Sequence, residues 1–267
     1  MTETKLPNSE KIRDFVRARY GAIAEQAGET CGCTATGCCG SQSASYGEKL
    51  GYSAAELAAA PAGADLGLGC GNPLAIASIQ PGETVLDLGS GAGFDCFLAA
   101  RQLAGTGRVI GVDMTAAMVT KARTNARKGN YANVEFRLGE IEALPVADAT
   151  VDLIMSNCVI NLSPEKGRVF SEAFRVLKPG GRLAIADVVA TKPLPAELKK
   201  KLSAIGACIG GATLVSELRA MLAEAGFTRI EIVPKESSRA YIGQWTDDAT
   251  AGEFVVSALI TAYKPAA

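Results

Sequence analysis

The chain has 267 residues, of which 48% are apolar and 6% aromatic, and its formal net charge is −1. This composition predicts one principal buried core with an appended segment. A charge so close to zero excludes a strong overall field for nucleic acid or an anionic membrane. Because the sequence has no run of about 18 apolar residues and begins with a charged, polar stretch, we expect a cytosolic protein without a membrane span.

Cysteine and histidine usage restricts the chemistry. The sequence contains eight cysteines and no histidine. In a reducing compartment the cysteines are not expected to form structural disulfides, so core filling, metal or metalloid ligation and redox chemistry are the candidate roles. Without histidine, the commonest general base and the commonest nitrogen ligand for metals are missing.

The N-terminal part predicts two helices. Residues 9–28 carry apolar side chains at roughly helical spacing between charges, which predicts an amphipathic helix. Ser53 and Glu56 form a capping-box pattern ahead of a second, short helix.

Two loops rich in small residues are predicted in the same part of the chain. One covers residues 29–45, and the other covers residues 61–73 and contains Cys70. The first loop carries four further cysteines, Cys31, Cys33, Cys38 and Cys39.

From residue 82 onward, the pattern alternates between strands and helices. Strands are predicted over residues 84–88, 108–112, 134–138, 151–156 and 182–188. Helices are predicted over residues 92–103, 116–128 and 164–177. We expect Ser163 to cap the last of these helices and Pro164 to be its first residue. The alternation predicts an α/β protein with a doubly wound, mostly parallel sheet.

Beyond residue 188 the pattern becomes less regular. Helices are predicted over residues 195–205 and from Thr213 or Ser216 to residue 225, with a Gly-rich break at residues 208–211 between them. Two final strands, over residues 229–233 and 254–263, are expected to form an antiparallel edge.

A glycine-rich loop follows the first strand of this alternating region. Gly89, Gly91 and Gly93 alternate with small residues between a strand and a helix, where glycine lets the backbone approach a ligand closely. Asp113 ends the next strand and is placed to accept hydrogen bonds from ribose hydroxyls. An NAD site would place an acid similarly, but Asp87 beside the loop disfavours a phosphate and suits a ligand that carries an ammonium. S-adenosylmethionine (SAM) has a sulfonium, an ammonium and no phosphate.

The stretch from about residue 80 to residue 190 resembles class I SAM-dependent methyltransferases, which implies a Rossmann-like fold. The resemblance includes residues 139–142, with sequence GEIE, and the turn LKPGGRL before the fifth strand. It implies that the glycines contact the methionine part of SAM, that Asp113 and Met114 hold the ribose, and that Glu140 and Ile141 flank the adenine. The expected cofactor-binding residues are Asp87, Gly89, Ser90, Gly91, Gly93, Asp113, Met114, Glu140, Ile141 and Asn157. The alternatives are an NAD site and a glycine-rich turn without a ligand.

Three cysteines lie in separate loops of this fold. Cys158 follows the fourth strand at the mouth of the predicted sheet, where doubly wound folds bind ligands. Cys70 precedes the first strand, and Cys208 lies in the Gly-rich break after the fifth strand. The three thiols are therefore expected to converge over one site. We assign Cys96, which lies on an apolar helix, to the core.

The sequences around these cysteines resemble arsenite methyltransferases. The resemblance rests on residues 66–73 (LGLGCGNP), 84–99, 156–164 (SNCVINLSP) and 208–212 (CIGGA), and extends from about residue 50 to residue 267. It implies that Cys158 and Cys208 bind trivalent arsenic and that Cys70 is either a third ligand or a redox partner. It also implies a further cysteine in the N-terminal cluster, which we interpret as a mobile thiol arm; a zinc site there is the alternative.

The resemblance implies methyl transfer to arsenite, or to its thiol conjugates, without a general base. Arsenic(III) is thiophilic, and its lone pair can attack the methyl group of SAM in line. Because the transfer formally oxidises arsenic, a cysteine pair would supply two electrons, and thioredoxin or glutathione would restore the thiols. The expected products are methylated and dimethylated arsenicals. We expect a monomer with no nucleic-acid or membrane partner.

Three segments are expected along the chain: an N-terminal helical and cysteine-rich arm (residues 1–73), a SAM-binding Rossmann-like domain (74–190), and a smaller α+β segment that completes the sheet and the arsenic site (191–267). Two other functions fit parts of the pattern. A carbon methyltransferase acting on a quinone or another small molecule would share the cofactor core but would not need the loop cysteines. A non-catalytic metalloid-binding protein would not need the intact glycine loop.

Overall fold

The structure, a computed structural model, describes residues 7–26, 41–246 and 250–266, and the side chains of these residues except 41–45. The helix predicted over residues 9–28 is present as α1 (Ser9–Gln26). The cluster Cys31, Cys33, Cys38 and Cys39 lies outside the described residues, and so do the mobile arm and the zinc site considered for it.

Two short helices follow α1 in the described chain. Helix α2 (Ser41–Leu50) corrects the predicted loop in its last five residues. Tyr46 and Leu50 lie one helical turn apart and both pack against a hydrophobic cluster, so tertiary burial outweighs the small-residue composition. Helix α3 (Ala54–Ala59) confirms the capping box, because the Ser53 side chain accepts from the backbone N–H of Glu56 and the Glu56 side chain accepts from that of Ser53.

A single sheet of eight strands forms the centre of the described chain. Its strands are β1 (Thr84–Leu88), β2 (Arg108–Asp113), β3 (Val134–Leu138), β4 (Val151–Asn157), β5 (Leu177–Ala190), β6 (Thr213–Leu214), β7 (Thr228–Lys235) and β8 (Val255–Tyr263). The order is β3-β2-β1-β4-β5-β8-β7, with β6 paired to β5. Strands β1 to β6 pair in parallel, whereas β8 pairs antiparallel to both β5 and β7. The predicted α/β class and the antiparallel edge are therefore confirmed.

Helices cover both faces of this sheet. They are α4 (Leu74–Ala77), α5 (Phe94–Gln102), α6 (Ala116–Lys128), α7 (Lys166–Val176), α8 (Ala196–Lys200), α9 (Leu202–Gly206), α10 (Val215–Glu224) and α11 (Arg239–Ile242). On one face, α7 and α10 share a buried cluster with Leu86 and Ile154. On the other face, α5 and α6 share a cluster with Val85 and Leu153. Adjacent strand residues thus point to opposite layers, and Cys96 lies in the second cluster, in agreement with its assignment to the core.

The start of α7 differs from the prediction. The helix begins at Lys166, its N-cap residue is Glu165, and no side chain bonds the free N–H groups of its first turn. Ser163 is not the N-cap, because its hydroxyl donates to the buried carboxylate of Glu142 at 2.7 Å and accepts from the backbone N–H of Glu165 at 3.1 Å. The hydroxyl therefore keeps a local bond in the turn before α7 and adds a tertiary bond to Glu142, and the helix begins three residues later.

The residues between β5 and α10 also form shorter elements than predicted. The predicted helix over residues 195–205 is divided into α8 and α9 at Lys201, which has an extended backbone. Thr213 belongs to β6, so the following helix starts at Val215. No helix in the described parts of the chain combines the length and the apolar character needed to cross a membrane.

Candidate active site

A cleft of about 340 Å³ opens where β1, β2 and β4 end. The loops that follow these strands line it, as the rule for doubly wound sheets predicts. Helix α1 lies over one side of the cleft, where Arg13, Val16 and Tyr20 face it. The sequence predicts only that this helix is amphipathic and does not show what it packs against. These lining residues were therefore not predicted.

The three glycines of the loop after β1 have different surroundings. All three have a positive φ angle, at 70° for Gly89, 52° for Gly91 and 96° for Gly93. A Cβ atom on Gly89 would collide with Val159, and one on Gly93 would lie 2.7 Å from both Phe97 and Phe136. Only Gly91 would project a Cβ into open space. Gly89 and Gly91 line the cleft, whereas Gly93 permits the close packing of α5.

Asp113 holds the glycine loop in place. Its Oδ2 atom accepts from the backbone N–H of Gly91 at 2.9 Å, and its Oδ1 atom accepts from that of Thr115 at 2.8 Å. Burial raises the pKa of this carboxyl group, although the backbone hydrogen bonds oppose the shift. Asp113 and Met114 both line the cleft next to the glycine loop, as the predicted cofactor site requires.

Two further carboxyl groups are buried at the same cleft, and their partners are neutral. Asp87 accepts a hydrogen bond from the Cys96 thiol at 3.2 Å, and Asp95 accepts one from the Tyr52 hydroxyl at 2.6 Å. Burial raises the pKa of Asp87 and raises that of Asp95 to about 6. The hydroxyl of Ser90 is also buried beside the cleft and has no hydrogen-bond partner in the described structure. Buried acids without a cation and a free hydroxyl fit a ligand that carries positive charge and hydrogen-bonding groups, as SAM does.

Of the two residues predicted to flank the adenine, one lines the cleft and the other does not. Ile141 lines the cleft, but Glu140 faces α1 instead, where its carboxylate forms ion pairs with Arg17 and, at 3.6 Å, with Arg13. The acid of this segment that does line the cleft is Glu142, which is buried and bonded to Ser163. The alternation of acidic residues in this segment gave no means of choosing between the two.

The three loop cysteines meet beside the glycine loop. Cys158 and Cys208 line the cleft, and the Cys208 thiol donates to the backbone carbonyl of Cys158 at 2.9 Å. Cys70 is fully buried, and its sulfur lies within 4.8 Å of the Cys158 sulfur and of an Asp187 oxygen. The structure therefore brings together the three thiols that the sequence analysis selected, with Cys70 next to Cys158 and away from the cleft wall.

The backbone at two of these cysteines is unusual. Cys158 has a φ angle of 59° and Cys208 one of 62°, in the left-handed region that residues other than glycine rarely adopt. The Cys158 N–H donates to the carbonyl of Ala186 at 2.8 Å, which fixes the turn to β5. Conformations of this kind cost free energy and cluster at functional sites.

Burial and mutual contacts raise the pKa values of all three thiols. Burial raises the pKa of Cys70 to about 11. For Cys158, the hydrogen bond with Cys208 lowers the pKa, but the contact with Cys70 and burial raise it well above its usual value. The hydrogen bond with Cys158 and burial both raise the pKa of Cys208. The site therefore holds neutral thiols that are poor nucleophiles until a ligand displaces their protons.

Asp187 was not among the predicted site residues. It lies near the end of β5, and its carboxylate accepts from the backbone N–H groups of Ile160 at 3.0 Å and Val188 at 2.7 Å and from the Asn161 side chain at 2.9 Å. Burial raises its pKa to about 6. These bonds hold the turn that carries Cys158. The sequence shows an acid near the end of the predicted fifth strand, but nothing in the local pattern relates it to the cysteines.

Aromatic side chains complete the wall around the thiols. Tyr46 and Trp245 line the cleft, and Tyr241 contacts both rings, at centroid distances of 6.4 and 6.2 Å. These residues come from α2 and from the segment between β7 and β8. Because they are remote in sequence from every motif, only the folded chain brings them to the site.

Comparison with known proteins agrees with this geometry. The family model described as "Methyltransferase domain" matches residues 79–226. An arsenite methyltransferase of Halobacterium salinarum is 53% identical over 96% of this chain and 68% of its own length. The human arsenite methyltransferase is 40% identical over 54% of this chain, which spans only 40% of the human protein.

A solved structure shows the same likeness. CrArsM, an arsenic(III) S-adenosylmethionine methyltransferase from Chlamydomonas reinhardtii, has a TM-score of 0.62 and 31% identity, and the match covers 84% of this chain and 74% of that one. The structural match includes the mostly parallel sheet with helices on both faces. Together with the glycine loop and the extent of the sequence match, these findings show that the chain belongs to the arsenite methyltransferase family of SAM-dependent methyltransferases.

Proposed function

We propose that this protein transfers methyl groups from SAM to trivalent arsenic that is bound by Cys158, Cys208 and Cys70. The single observation that carries the proposal is that Cys158 and Cys208 lie together at the cleft that the glycine loop lines, with the buried Cys70 sulfur next to that of Cys158. A carbon methyltransferase has no need of this thiol cluster.

Arsenite binds by condensation with the thiols. Each arsenic–sulfur bond replaces an arsenic–oxygen bond, and the thiol proton leaves with the hydroxyl group as water. In total, three thiols and one arsenite give three arsenic–sulfur bonds and three water molecules. Sulfur is the preferred ligand of soft, thiophilic ions such as arsenic(III).

The cofactor side of the cleft is formed by Asp87, Ser90, Gly91, Asp113 and Ile141. SAM supplies a methyl group that is activated by its sulfonium. The carboxylates Asp87 and Asp113 suit the ammonium and the ribose hydroxyls, and Gly91 leaves room for close approach. The predicted roles of Met114 and Asn157 at this cleft remain part of the proposal, whereas Gly93 supports the loop from below and Glu140 anchors α1.

The arsenic lone pair is the nucleophile. Because arsenic bound to three sulfurs gives up no proton when it forms the new bond to carbon, the step needs no general base, in agreement with the absence of histidine. The protein contributes mainly by holding the reacting atoms in line.

Arsenic becomes formally pentavalent when the new bond forms, and two electrons then return it to the trivalent state. We propose that two of the arsenic-bound sulfurs leave arsenic as a disulfide, so that two arsenic–sulfur bonds break, one sulfur–sulfur bond forms and one electron pair stays on arsenic. A water molecule then supplies a hydroxyl group to arsenic and releases one proton. Thioredoxin or glutathione then reduces the disulfide. A second cycle gives the dimethylated product. This scheme requires a reducing compartment such as the cytosol, and the three-segment organisation and a monomeric state are proposed with it.

An assay with the purified protein tests the function. Arsenite, SAM and a thiol reductant are incubated with the protein, and methylated arsenic is measured by mass spectrometry. We expect mono- and dimethylated arsenicals that depend on all three additions. Consumption of SAM without any methylated arsenic would contradict the proposal.

Substitution of the cleft cysteines separates arsenic binding from cofactor binding. We expect Cys158→Ser and Cys208→Ser to abolish methylation, because serine oxygen is a poor ligand for a soft ion. Cofactor binding, measured by calorimetry with S-adenosylhomocysteine, should persist in both variants. Cys96→Ser, in the core beside the cofactor pocket, is the control and should still methylate arsenite. Turnover in the Cys158 or Cys208 variant would exclude that sulfur as a necessary ligand.

A further inference from the structure

Asn157 is the last residue of β4 and directly precedes Cys158. Its side chain reaches across to the turn that carries Cys70. The Oδ1 atom accepts from the backbone N–H of Cys70 at 3.1 Å, and the Nδ2 atom donates to the carbonyl of Gly71 at 2.9 Å. One amide group thus bonds the Cys70 N–H and the Gly71 carbonyl to the end of β4, directly before Cys158.

The turn is built for this close approach. Gly69 has a φ angle of 122°, and a Cβ atom there would lie 3.0 Å from the Asn157 amide. A Cβ atom on Gly71 would lie 2.9 Å from the Cβ of Ala186 on β5. The two glycines therefore allow the Cys70 backbone to settle onto the ends of β4 and β5.

Other groups fix the orientation of the Asn157 amide. Its Nδ2 atom also lies within hydrogen-bonding distance of the Asp95 carboxylate, at 3.1 Å, and of the Tyr52 hydroxyl, at 3.0 Å. These acceptors surround the nitrogen, so the oxygen must face the Cys70 N–H. On its other side, the Cys70 carbonyl accepts from Ser257 at 2.7 Å and Tyr241 at 3.3 Å.

We propose that Asn157 is a positioning residue that holds Cys70 within reach of Cys158 as the third sulfur, and that it thereby determines which arsenicals the site accepts. The inference rests on the proposed function. Cys70 is fully buried, so its sulfur reaches arsenic only from the place that its turn fixes. Without the Asn157 bonds, the turn keeps the bonds to the Cys70 carbonyl and the bond from the Tyr46 hydroxyl to the Gly69 carbonyl at 3.2 Å, but its link to the end of β4 is lost.

The number of sulfurs at the site determines which arsenical it binds completely, because arsenicals differ in how many of their bonds exchange with thiols. Arsenite has three arsenic–oxygen bonds that exchange with thiols, so it needs three sulfurs to become fully thiol-bound. Methylarsonous acid has one arsenic–carbon bond that does not exchange, and two sulfurs complete its binding. Loss of the third sulfur should therefore weaken the site for arsenite and leave it intact for methylarsonous acid.

Asn157→Ser tests this role, because serine is too short to reach either Cys70 or Gly71. We expect arsenite affinity to fall about 10- to 100-fold, the range typical of lost ligand-orienting contacts. X-ray absorption of the arsenite complex without SAM reports the atoms bound to arsenic. We expect three sulfur atoms in the unsubstituted protein and two sulfurs with one oxygen in Asn157→Ser. Binding of methylarsonous acid, measured without SAM, should be comparable to that of the unsubstituted protein.

Two reference variants make the outcome decisive. Cys70→Ser should show two sulfurs, and three sulfurs in this variant would remove Cys70 from the proposed site whatever the role of Asn157. Tyr52→Phe removes another partner of the same amide but leaves both bonds to the Cys70 turn, so three sulfurs should remain. Three sulfurs in Asn157→Ser, or an equal loss of both substrates in that variant, would overturn the inference.

A second substitution covers the possibility that Asn157→Ser does not fold. Asn157→Asp keeps an acceptor for the Cys70 N–H but places a carboxylate oxygen against the Gly71 carbonyl and the Asp95 carboxylate. The same change from three sulfurs to two is expected, and retention of three would count against the role of Asn157. Circular dichroism and urea unfolding show whether either variant is folded. If the unsubstituted protein methylates no arsenic, the proposed function is wrong. The number of sulfurs bound to arsenic still tests whether Asn157 positions Cys70, because this measurement does not depend on methylation.

Discussion

The same residue type, glycine, serves two purposes in the loop after β1. Gly93 is enclosed by Phe97 and Phe136, whereas Gly91 opens onto the cleft. Both have positive φ angles, so any side chain introduces backbone strain at either position. The difference between them lies in the space around the missing Cβ atom, which separates a packing role from a ligand-binding role.

Alanine at each position should therefore have a different effect. We expect Gly93→Ala to lower the free energy of unfolding by about 2–4 kcal/mol, because overpacking adds to backbone strain. Gly91→Ala should lower it by about 1–2 kcal/mol from strain alone, and should weaken cofactor binding because the methyl group enters the cleft. Urea unfolding and calorimetry with S-adenosylhomocysteine measure the two effects. Equal losses of stability in the two variants would contradict this division of roles.

Among the elements, α1 is attached to the rest of the molecule by ion pairs as well as by apolar packing of Val16. Arg13 pairs with Glu142 at 3.2 Å and with Glu165, and Arg17 pairs with Glu140. Glu142 is only 5% exposed and the Arg13 side chain 16%, whereas the pair of Arg17 with Glu140 is more than a third exposed on both sides. Through these pairs, the helix is fixed over the cleft that Arg13 lines.

The solvent exposure of each ion pair should determine how much its arginine contributes to the free energy of unfolding. Arg13→Met leaves the buried Glu142 carboxylate without its cation, and we expect a loss of about 2–3 kcal/mol in the free energy of unfolding together with weaker cofactor binding. Arg17→Met is the matched control on the same helix, and its loss should stay below about 1 kcal/mol, because exposed pairs are screened by solvent. Urea unfolding at low and at high salt distinguishes the two cases. A larger effect at Arg17 would reject this ranking.

At the scale of the whole molecule, several carboxyl groups are buried around the cleft and the thiols, among them Asp87, Asp95 and Asp187. Burial raises the pKa values of Asp87, Asp95 and Asp187, the last two to about 6. In the unfolded chain such groups lose their protons near pH 4. Between these values the folded state holds more protons than the unfolded state, so the free energy of unfolding falls as the pH rises.

We therefore expect the ligand-free protein to lose stability between about pH 4 and pH 7, by about 1.4 kcal/mol per group and pKa unit at most. S-adenosylhomocysteine, which carries an ammonium, should stabilise the protein more at pH 7.5 than at pH 5. Urea unfolding with and without this ligand at several pH values gives both trends. A ligand-free stability that rises from pH 5 to pH 7 would show that these carboxylates do not control the pH dependence.

Periodicity and local motifs predicted the central part of the fold. The strands β1 and β3 have the predicted bounds, because short apolar runs between turn residues are a local signal. Ser163 and Glu140 illustrate the opposite case. Each was assigned by its local pattern, but each bonds to a partner that only the folded chain brings near. Asp187 and Tyr46 were missed for the same reason, since their relation to the thiols exists only in three dimensions.

The sequence contains one tryptophan, Trp245, and its ring lies in the cleft wall next to Tyr241. All tryptophan fluorescence of this chain therefore comes from the cleft where both reactants are proposed to bind. The molecule carries its own optical probe, and successive binding steps can be followed by intrinsic emission without attaching a dye to any of its thiols.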